Sequence, residues 1–354
     1  MTLHIFNPDH DLALASGQAN FTSPHAGRQL RHDLGWLPVL WANEGIVLAA
    51  EDSIPAAMAK RYIKEGVRLM SPSKALKQEL QDTDVCIEPW GWNAALKAYL
   101  LRIGVPEKAM PQDEKIEAIR RVSHRKTAAW LLPQLNPAQP IIAAKECCSE
   151  LEARSLFETY GSLVLKAPWS SSGRGVRFIT RPEAFKEPSL NGWLHNTIAT
   201  QGSIMAEPYY NKQKDFAMEF VTDGQGNTYY TGLSLFQTGP GGSYTGNLIA
   251  TEPAKQDILS RHVAPEQLCD IREQLCLLTG KLFEGMYQGP FGVDMMIVAG
   301  GMLHPCVELN LRRTMGHVAI ALNNRLNPRA DDEIIHTMHI EYCNYKYKLL
   351  IKRI

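Results

Sequence analysis

The chain has 354 residues, of which 45% are hydrophobic and 21% are charged. This length is too great for one compact core, so we expect about two or three domains. The 37 basic and 37 acidic residues give a formal net charge of zero. This balance argues against a protein that binds nucleic acid or an anionic membrane through its overall charge.

Neither a secretion signal nor a membrane segment is expected. The chain reaches Asp9 without a basic leading segment, unlike a signal peptide. No stretch approaches the ~20 apolar residues that a membrane-spanning helix needs. The seven cysteines include no C-x-x-C pair, a pattern typical of free thiols in a reducing compartment. We therefore expect a cytoplasmic protein, with a single catalytic cysteine as the less favoured alternative.

Short apolar runs alternate with helical patterns in the first 110 residues. The candidate strands are residues 3–6, 39–41, 67–70 and 85–87, and the candidate helices are residues 26–34, 53–65, 73–80 and 93–103. Such alternation predicts an α/β domain with a parallel sheet. Pro106 and Pro111 break the pattern, so the domain is expected to span residues 1–110.

The pattern changes after residue 110. One long helix is predicted at 114–132, followed by a proline-rich joint, a helix at 149–159 and strands at 163–166 and 176–179. Residues 203–236 read as antiparallel strands around the turn at 223–227. A helix at 265–283 and a hairpin over 292–309 follow. We expect α+β lobes at 111–202 and 203–354, and so a multi-domain protein of mixed α and β structure.

Lys166 ends an apolar strand and precedes a loop of small residues. Buried lysine is costly unless it faces an anion. The loop offers bare backbone N–H groups and hydroxyls, which suit phosphate; its candidate residues are Ser170, Ser171, Ser172, Gly173, Gly175 and Val176. A strand-end lysine that reaches solvent and an ordinary hairpin turn are the alternatives. The chain lacks the P-loop motif G-x-x-x-x-G-K-S/T and the kinase H-R-D and D-F-G motifs, which argues against both classes.

An acidic group lies on the C-terminal hairpin. Asp294 is on its first strand, and Glu308 and Asn310 are on its second. Residues i and i+2 share one face of a strand, and the hairpin brings Asp294 beside them. Oxygen donors of this kind suit Mg²⁺, which binds one or two carboxylates plus substrate phosphates. A solvated sheet face is the alternative.

Together these motifs resemble the ATP-grasp superfamily, from about residue 120 to residue 320. The resemblance implies an N-terminal α/β domain and two α+β lobes that clamp ATP. The residues expected to contact ATP are then Lys126, Lys166, Ser170, Ser171, Ser172, Gly173, Gly175, Val176, Glu207, Tyr209 and Asp215. Asp294, Glu308 and Asn310 are the expected magnesium ligands. Some ligases of the family carry an arginine two residues before the first metal aspartate. Gly292 stands there in this chain, so the catalytic cation beside Lys166 is expected to be Arg312 or Arg313.

The resemblance also implies a reaction. A carboxylate attacks the γ-phosphoryl group of ATP, held by two Mg²⁺ or Mn²⁺ ions, and the acyl phosphate then meets an amine or thiol. Amide or thioester formation on an amino-acid or peptide-like small molecule is the leading hypothesis. Kinase-type phosphoryl transfer and a nucleotide-binding regulator without turnover are the alternatives. No nucleic-acid or membrane partner is expected, and a homodimer is left open.

Two other segments have equivocal patterns. The glycine-rich segment 237–247 predicts a mobile loop. A position near the acceptor site and a plain surface loop are equally favoured. Residues 7–11 follow the first strand, where α/β sheets bind ligands, although a turn with capping aspartates is slightly favoured. A metal site built from His4, Asp9, His10 and Asp11 is the least favoured reading.

Overall fold

The computed structural model describes residues 1–81, 84–137, 139–170, 173, 175–239, 241–327 and 334–354. In this part of the chain the strands are β1 (Thr2–Ile5), β2 (Gly45–Leu48), β3 (Val67–Met70), β4 (Cys86–Pro89), β5 (Lys145–Cys147), β6 (Leu163–Lys166), β7 (Val176–Ile179), β8 (Ile204–Pro208), β9 (Lys212–Thr222), β10 (Thr228–Ser234), β11 (Phe236–Thr238), β12 (Tyr244–Ile249), β13 (Gly289–Val298), β14 (Met302–Asn310), β15 (His336–Cys343) and β16 (Lys346–Arg353). The α-helices are α1 (His10–Ser16), α2 (His25–Leu34), α3 (Ala56–Tyr62), α4 (Lys74–Gln81), α5 (Ala94–Ile103), α6 (Asp113–Val122), α7 (Lys126–Leu131), α8 (Glu150–Tyr160), α9 (Pro188–Gln201), α10 (Glu252–Ser260), α11 (Pro265–Phe283) and α12 (Met315–Leu326).

The chain divides into two compact units. The first unit comprises residues 1–120, 246–251 and 312–354, and the second comprises residues 121–245 and 252–311. The sequence predicts three domains, with boundaries near residues 110 and 202, and this division stays a prediction.

A parallel sheet forms the first unit's N-terminal part, in the order β3-β2-β1-β4. This confirms the α/β character expected of the first 110 residues. The strand predicted at 39–41 is wrong, because a 3₁₀ helix occupies Leu37–Leu40. Pro38 lies in this turn and cannot donate to a sheet ladder. The strand that follows α2 is instead β2.

The C-terminal segments belong to the first unit because they share its core. Trp36 and Leu37 pack in one buried cluster with Ile249, Val318 and Met338. Strand β12 pairs antiparallel with β15, and β15 pairs antiparallel with β16. Burial of apolar surface in this common core stabilises residues 1–120, 246–251 and 312–354 together.

The second unit contains two antiparallel sheets. One has the order β5-β8-β6-β7, and its core includes Phe157, Phe185 and Leu165. The other has the order β10-β9-β13-β14, where Phe220 and Phe291 stack with ring centroids 5.2 Å apart. The chain thus changes from α/β to α+β structure, which confirms the expected fold class.

The long helix predicted at 114–132 is wrong, because the chain breaks between α6 and α7. The His124 ring accepts a hydrogen bond from the Lys126 backbone N–H at 3.0 Å, and the Arg125 N–H donates to the Pro168 carbonyl oxygen at 3.2 Å. The His124 ring also packs edge-on against Trp169. The local His124–Lys126 bond and the non-local contacts with Pro168 and Trp169 interrupt the helical hydrogen-bond ladder, and they fix Arg125 at the start of α7.

The cysteine prediction is confirmed, since all seven thiols are free. Among the described residues, every helix is too short or too polar to cross a bilayer.

Gly45 and Gly66 provide a matched test of the parallel sheet. Both have positive φ angles, +96° and +89°, but only at Gly45 would a Cβ overlap the Thr2 carbonyl oxygen. At Gly66 the nearest atom is a Glu44 carbon 3.8 Å away. Gly66→Ala should therefore cost about 1–2 kcal/mol of unfolding free energy from left-handed strain alone. Gly45→Ala should cost a further ~1–3 kcal/mol from the clash.

Urea unfolding followed by tryptophan fluorescence measures both losses. Equal losses in the two variants would show that the Thr2 carbonyl does not restrict residue 45.

Candidate active site

Lys166 and Glu207 form a buried ion pair between neighbouring strands. Lys166 on β6 stands opposite Met205 on β8, two residues before Glu207. Its Nζ lies 2.5 Å from Oε1 of Glu207, and both side chains are buried. A buried cation needs such a partner, because desolvation is otherwise uncompensated. The pair therefore joins Lys166, the lysine predicted to bind phosphate, to Glu207, another residue expected to contact ATP.

The buried Arg125 makes a second ion pair, with the partly buried Glu308 on β14. The Arg125 Nη2 lies 2.9 Å from each carboxylate oxygen of Glu308. Its Nη1 lies 3.4 Å from the Ala167 carbonyl oxygen, directly after β6. The buried Nε finds no hydrogen-bond partner among the described residues. Sequence reasoning missed Arg125, although its place directly before Lys126 was a signal that could have drawn attention to it.

The three predicted metal ligands lie together on the β13–β14 hairpin. Asp294 stands opposite Glu308, Asn310 stands opposite Gly292, and the strand pairing is irregular just after Asp294. Burial raises the pKa of the nearby Cys306 thiol, and the Asp294 charge raises it further. Among the described residues, no group of three or more His, Cys, Asp or Glu side chains could hold a metal. Two carboxylates and one amide oxygen instead suit an ion that takes its remaining ligands from phosphate and water.

A small pocket in the second unit brings several of these groups together. It is lined by Arg125, Ala129, Leu132, Ala144, Lys166, Met205, Glu207, His304, Cys306 and Val307. Charged groups of both signs line it beside apolar surface. This combination is typical of sites that orient a ligand with a few polar contacts.

His304 is a polar lining residue that sequence reasoning missed. Burial lowers the pKa of His304 to about 4, with the Glu207 charge raising the pKa and the Lys166 charge lowering it. The imidazole is therefore neutral at pH 7. Its Nδ1 finds no hydrogen-bond partner in the described part of the chain. The period of two through Glu308 and Asn310 was the available signal, because it places His304 on their face of β14.

The small-residue loop closes tightly where the structure describes it. The Ala167 N–H donates to the Gly175 carbonyl oxygen at 2.8 Å, and Val176 pairs with Lys166. A Cβ on Gly175 would overlap the Ser170 hydroxyl. That hydroxyl is buried and has no hydrogen-bond partner among the described residues. The predicted Ser171 and Ser172 lie outside the described residues.

Gly173 brings this loop against the glycine-rich segment 237–247. Gly173 has a φ of +72°, and a Cβ there would lie 2.6 Å from the Gly242 carbonyl carbon and 2.7 Å from the Ser243 nitrogen. The two loops therefore meet backbone to backbone. The acceptor role of the 237–247 loop stays a prediction, and Pro240 lies outside the described residues.

The other predicted ATP contacts lie elsewhere in the second unit. Lys126 is exposed, with its Nζ 3.6 Å from Glu146. Tyr209 is also exposed and packs edge-on against Phe178. Asp215 accepts hydrogen bonds from Lys212 at 2.5 Å and from Thr238 at 2.6 Å. These three side chains are not part of the pocket lining around Lys166.

The two predicted catalytic arginines lie in the first unit. Arg312 makes a bidentate pair with Asp11, with Nε–Oδ1 at 2.9 Å and Nη2–Oδ2 at 2.8 Å. Arg313 lies 3.4 Å from Glu88, and its guanidinium stacks 4.7 Å from the Trp41 ring centroid. Asp11 lies beyond β1 and Glu88 lies in β4, neighbouring parallel strands. Both arginines therefore sit near the carboxyl ends of these strands.

The contacts of residues 4–11 favour the predicted turn over the metal site. Asp9 pairs with Arg31 at 2.6 Å, while Asp11 pairs with Arg312. Burial lowers the pKa of His10 to about 4, and this ring packs on Gly91. The segment therefore forms a turn whose charges are already paired.

His304 predicts a pH dependence of stability. Its folded-state pKa of about 4 lies below its ordinary value of 6.5, so the unfolded chain binds the proton more tightly. The stability from neutral His304 is complete above pH 6.5 and is lost as the pH falls from 6.5 towards 4. Between pH 7 and pH 5 the loss is about 2 kcal/mol.

His304→Gln should remove this contribution, because glutamine does not titrate. Urea unfolding at the two pH values should show a loss about 2 kcal/mol smaller in His304→Gln than in the wild type. Substitution of the exposed His195 by glutamine is the matched control. The same pH dependence in wild type and His304→Gln would contradict this account of the buried imidazole.

No protein-family model matches the chain. The butirosin acyl-carrier-protein–L-glutamate ligase of Niallia circulans is 27% identical over 177 residues, covering 47% of this chain and 38% of that protein. The chain thus matches well under half the length of this relative.

Solved structures share the fold at low sequence identity. The biotin carboxylase domain of Hydrogenobacter thermophilus 2-oxoglutarate carboxylase, solved with MgADP, aligns with a TM-score of 0.54 at 14% identity, covering 87% of this chain and 71% of that one. Campylobacter jejuni biotin carboxylase aligns with a TM-score of 0.53 at 12% identity over 96% and 75%. An Archaeoglobus fulgidus protein assigned to the ATP-grasp superfamily aligns with a TM-score of 0.51 at 10% identity over 100% and 99%. These alignments show that this chain shares the fold of these proteins.

Proposed function

We propose that this chain is an ATP- and Mg²⁺-dependent ligase that joins a carboxylate to an amine or thiol through an acyl phosphate. One observation carries the proposal. The buried Lys166–Glu207 pair lines a pocket with Arg125, and Arg125 in turn holds Glu308 beside Asp294. The cation proposed to bind phosphate and the two carboxylates proposed to bind metal therefore belong to one compact unit.

The residues around the pocket fit a nucleoside triphosphate. Lys166 would supply positive charge for phosphate oxygens, and Glu207 lines the pocket beside it. Two buried groups, the Ser170 hydroxyl and the Arg125 Nε, are left without hydrogen-bond partners among the described residues. Buried polar groups normally find partners, so these groups favour a bound ligand that supplies them.

The acidic hairpin fits magnesium. Asp294, Glu308 and Asn310 would hold the ions, with the nucleotide supplying the remaining oxygens. Bound Mg²⁺ would neutralise charge on the triphosphate during phosphoryl transfer. The chain's own residues contribute positioning and charge stabilisation rather than a covalent intermediate.

The remaining functional residues extend the proposal to the second substrate. Arg312 and Arg313 stay the predicted catalytic cations. Small-molecule substrates and a cytoplasmic location are part of the same proposal. The Niallia circulans relative is an L-glutamate ligase, which favours ligation over kinase-type transfer and makes L-glutamate the first carboxylate to test. The complete set of acidic ligands favours turnover over a purely regulatory role.

Trapping with hydroxylamine tests the reaction class directly. The purified chain is incubated with ATP, Mg²⁺ and a panel of amino acids that begins with L-glutamate. A ligase should release ADP and give a hydroxamate, because hydroxylamine intercepts an acyl phosphate. A stable phosphorylated product without hydroxamate would indicate a kinase. Saturable ATP binding without turnover would indicate a regulator.

Glu308→Gln tests the metal assignment in the same assay. The neutral amide binds Mg²⁺ poorly, so hydroxamate formation should fall by about 100-fold or more. The circular-dichroism spectrum should be retained, and Glu158→Gln, at an exposed position on α8, is the control that should keep full activity. Wild-type turnover in Glu308→Gln would remove Glu308 from the metal site.

A further inference from the structure

Arg125 connects the two halves of the proposed site. Its guanidinium reaches both oxygens of Glu308 on β14 and the Ala167 carbonyl oxygen after β6. The Arg125 side chain is 8% exposed, against 23% for Glu308. A charge-assisted pair at this burial is shielded from solvent and salt. Arg125 is therefore the immediate counter-ion of a proposed metal ligand.

A divalent cation and this guanidinium would compete for one carboxylate. Both oxygens of Glu308 accept from the same Arg125 nitrogen at 2.9 Å. A metal ion needs a lone pair on at least one of these oxygens, and it would place a second positive charge beside the guanidinium. Like charges at this separation repel strongly where water is scarce. Metal binding at Glu308 therefore requires Arg125 to move or to weaken its contact.

The structure also offers the guanidinium a second place. Arg125 lines the same pocket as Lys166, where the phosphates are proposed to bind. Its Nε is buried without a hydrogen-bond partner among the described residues. A planar guanidinium suits phosphate oxygens through paired N–H groups. A small movement away from Glu308 would thus be compensated by contact with the nucleotide.

We propose that Arg125 is a positioning residue that occupies Glu308 when no divalent cation is bound and exchanges this carboxylate for nucleotide phosphate when the metal binds. This inference rests on the metal and nucleotide sites of the proposed function. Metal binding and nucleotide binding would then each favour the other. The metal displaces Arg125 from Glu308, and the nucleotide phosphates give the displaced guanidinium a new partner.

Manganese titration without nucleotide tests the competition, because it needs no turnover. Binding of Mn²⁺ to the full chain is followed by electron paramagnetic resonance in wild type, Arg125→Gln and Arg154→Gln. Arg154 is the matched control, because it pairs with Glu150 at 2.6 Å in the same unit. Arg125→Gln should bind Mn²⁺ about tenfold more tightly than wild type, and Arg154→Gln should be unchanged. Arg125→Lys keeps a cation near Glu308, so its Mn²⁺ affinity should lie between those of the wild type and Arg125→Gln. If Arg125→Gln does not fold, the Mn²⁺ affinity of Arg125→Lys tests the competition.

Calorimetry with a non-hydrolysable ATP analogue and Mg²⁺ tests whether Arg125 contacts the nucleotide phosphates when the metal is bound. Arg125→Gln should bind the analogue at least about tenfold more weakly, the opposite direction to its Mn²⁺ affinity. A purely structural role for Arg125 would weaken both. Unchanged or weaker Mn²⁺ binding in the Arg125 variants overturns the inference, and so does unchanged analogue binding.

Failure of the proposed reaction would look different. In that case the wild type would form no hydroxamate, while Arg125→Gln would still bind Mn²⁺ more tightly. Glu308→Gln should bind Mn²⁺ at least about tenfold more weakly than wild type. Unchanged Mn²⁺ affinity in that variant would overturn both the metal assignment and the role of Arg125.

Discussion

The need to compensate buried charge governs the second unit. Lys166 and Glu207 are both buried, and removing one member of such a pair costs about 3–5 kcal/mol because the other charge is left unpaired. The pair therefore constrains how β6 and β8 lie against each other. It also keeps a positive charge next to the pocket, where the fold alone would favour apolar side chains. The proposed nucleotide site follows from this constraint.

The break between α6 and α7 extends the same principle. A continuous helix would satisfy its own backbone, but the chain instead gives the Arg125 N–H to the Pro168 carbonyl oxygen. This places the Arg125 guanidinium against Glu308 and gives the acidic hairpin an internal counter-ion. Three members of the two ion pairs, Arg125, Lys166 and Glu207, thus line one small pocket. In each pair, one charged group is proposed to bind a ligand: Lys166 would bind phosphate, and Glu308 would bind a divalent cation.

Local patterns predicted the elements that depend on local interactions. Strand β6 and helix α11 match their predicted bounds, because apolar periodicity with flanking glycine or proline determines them. The facing positions of Asp294 and Glu308 also followed from a turn and a period of two. The break in the 114–132 helix and the contacts of Arg125 could not be predicted in this way. They depend on a carbonyl and a carboxylate that are distant in sequence, which no local pattern encodes.

Nucleotide affinity is the most direct measure of the central claim that the Lys166 pocket binds ATP. A non-hydrolysable ATP analogue is titrated by calorimetry into wild type, Lys166→Gln and Lys281→Gln, whose lysine is exposed on α11. Glutamine can still hydrogen-bond Glu207, which limits the structural damage. The account predicts saturable binding to wild type and to Lys281→Gln, with affinity at least about tenfold weaker in Lys166→Gln. Equal affinity in all three proteins would contradict it.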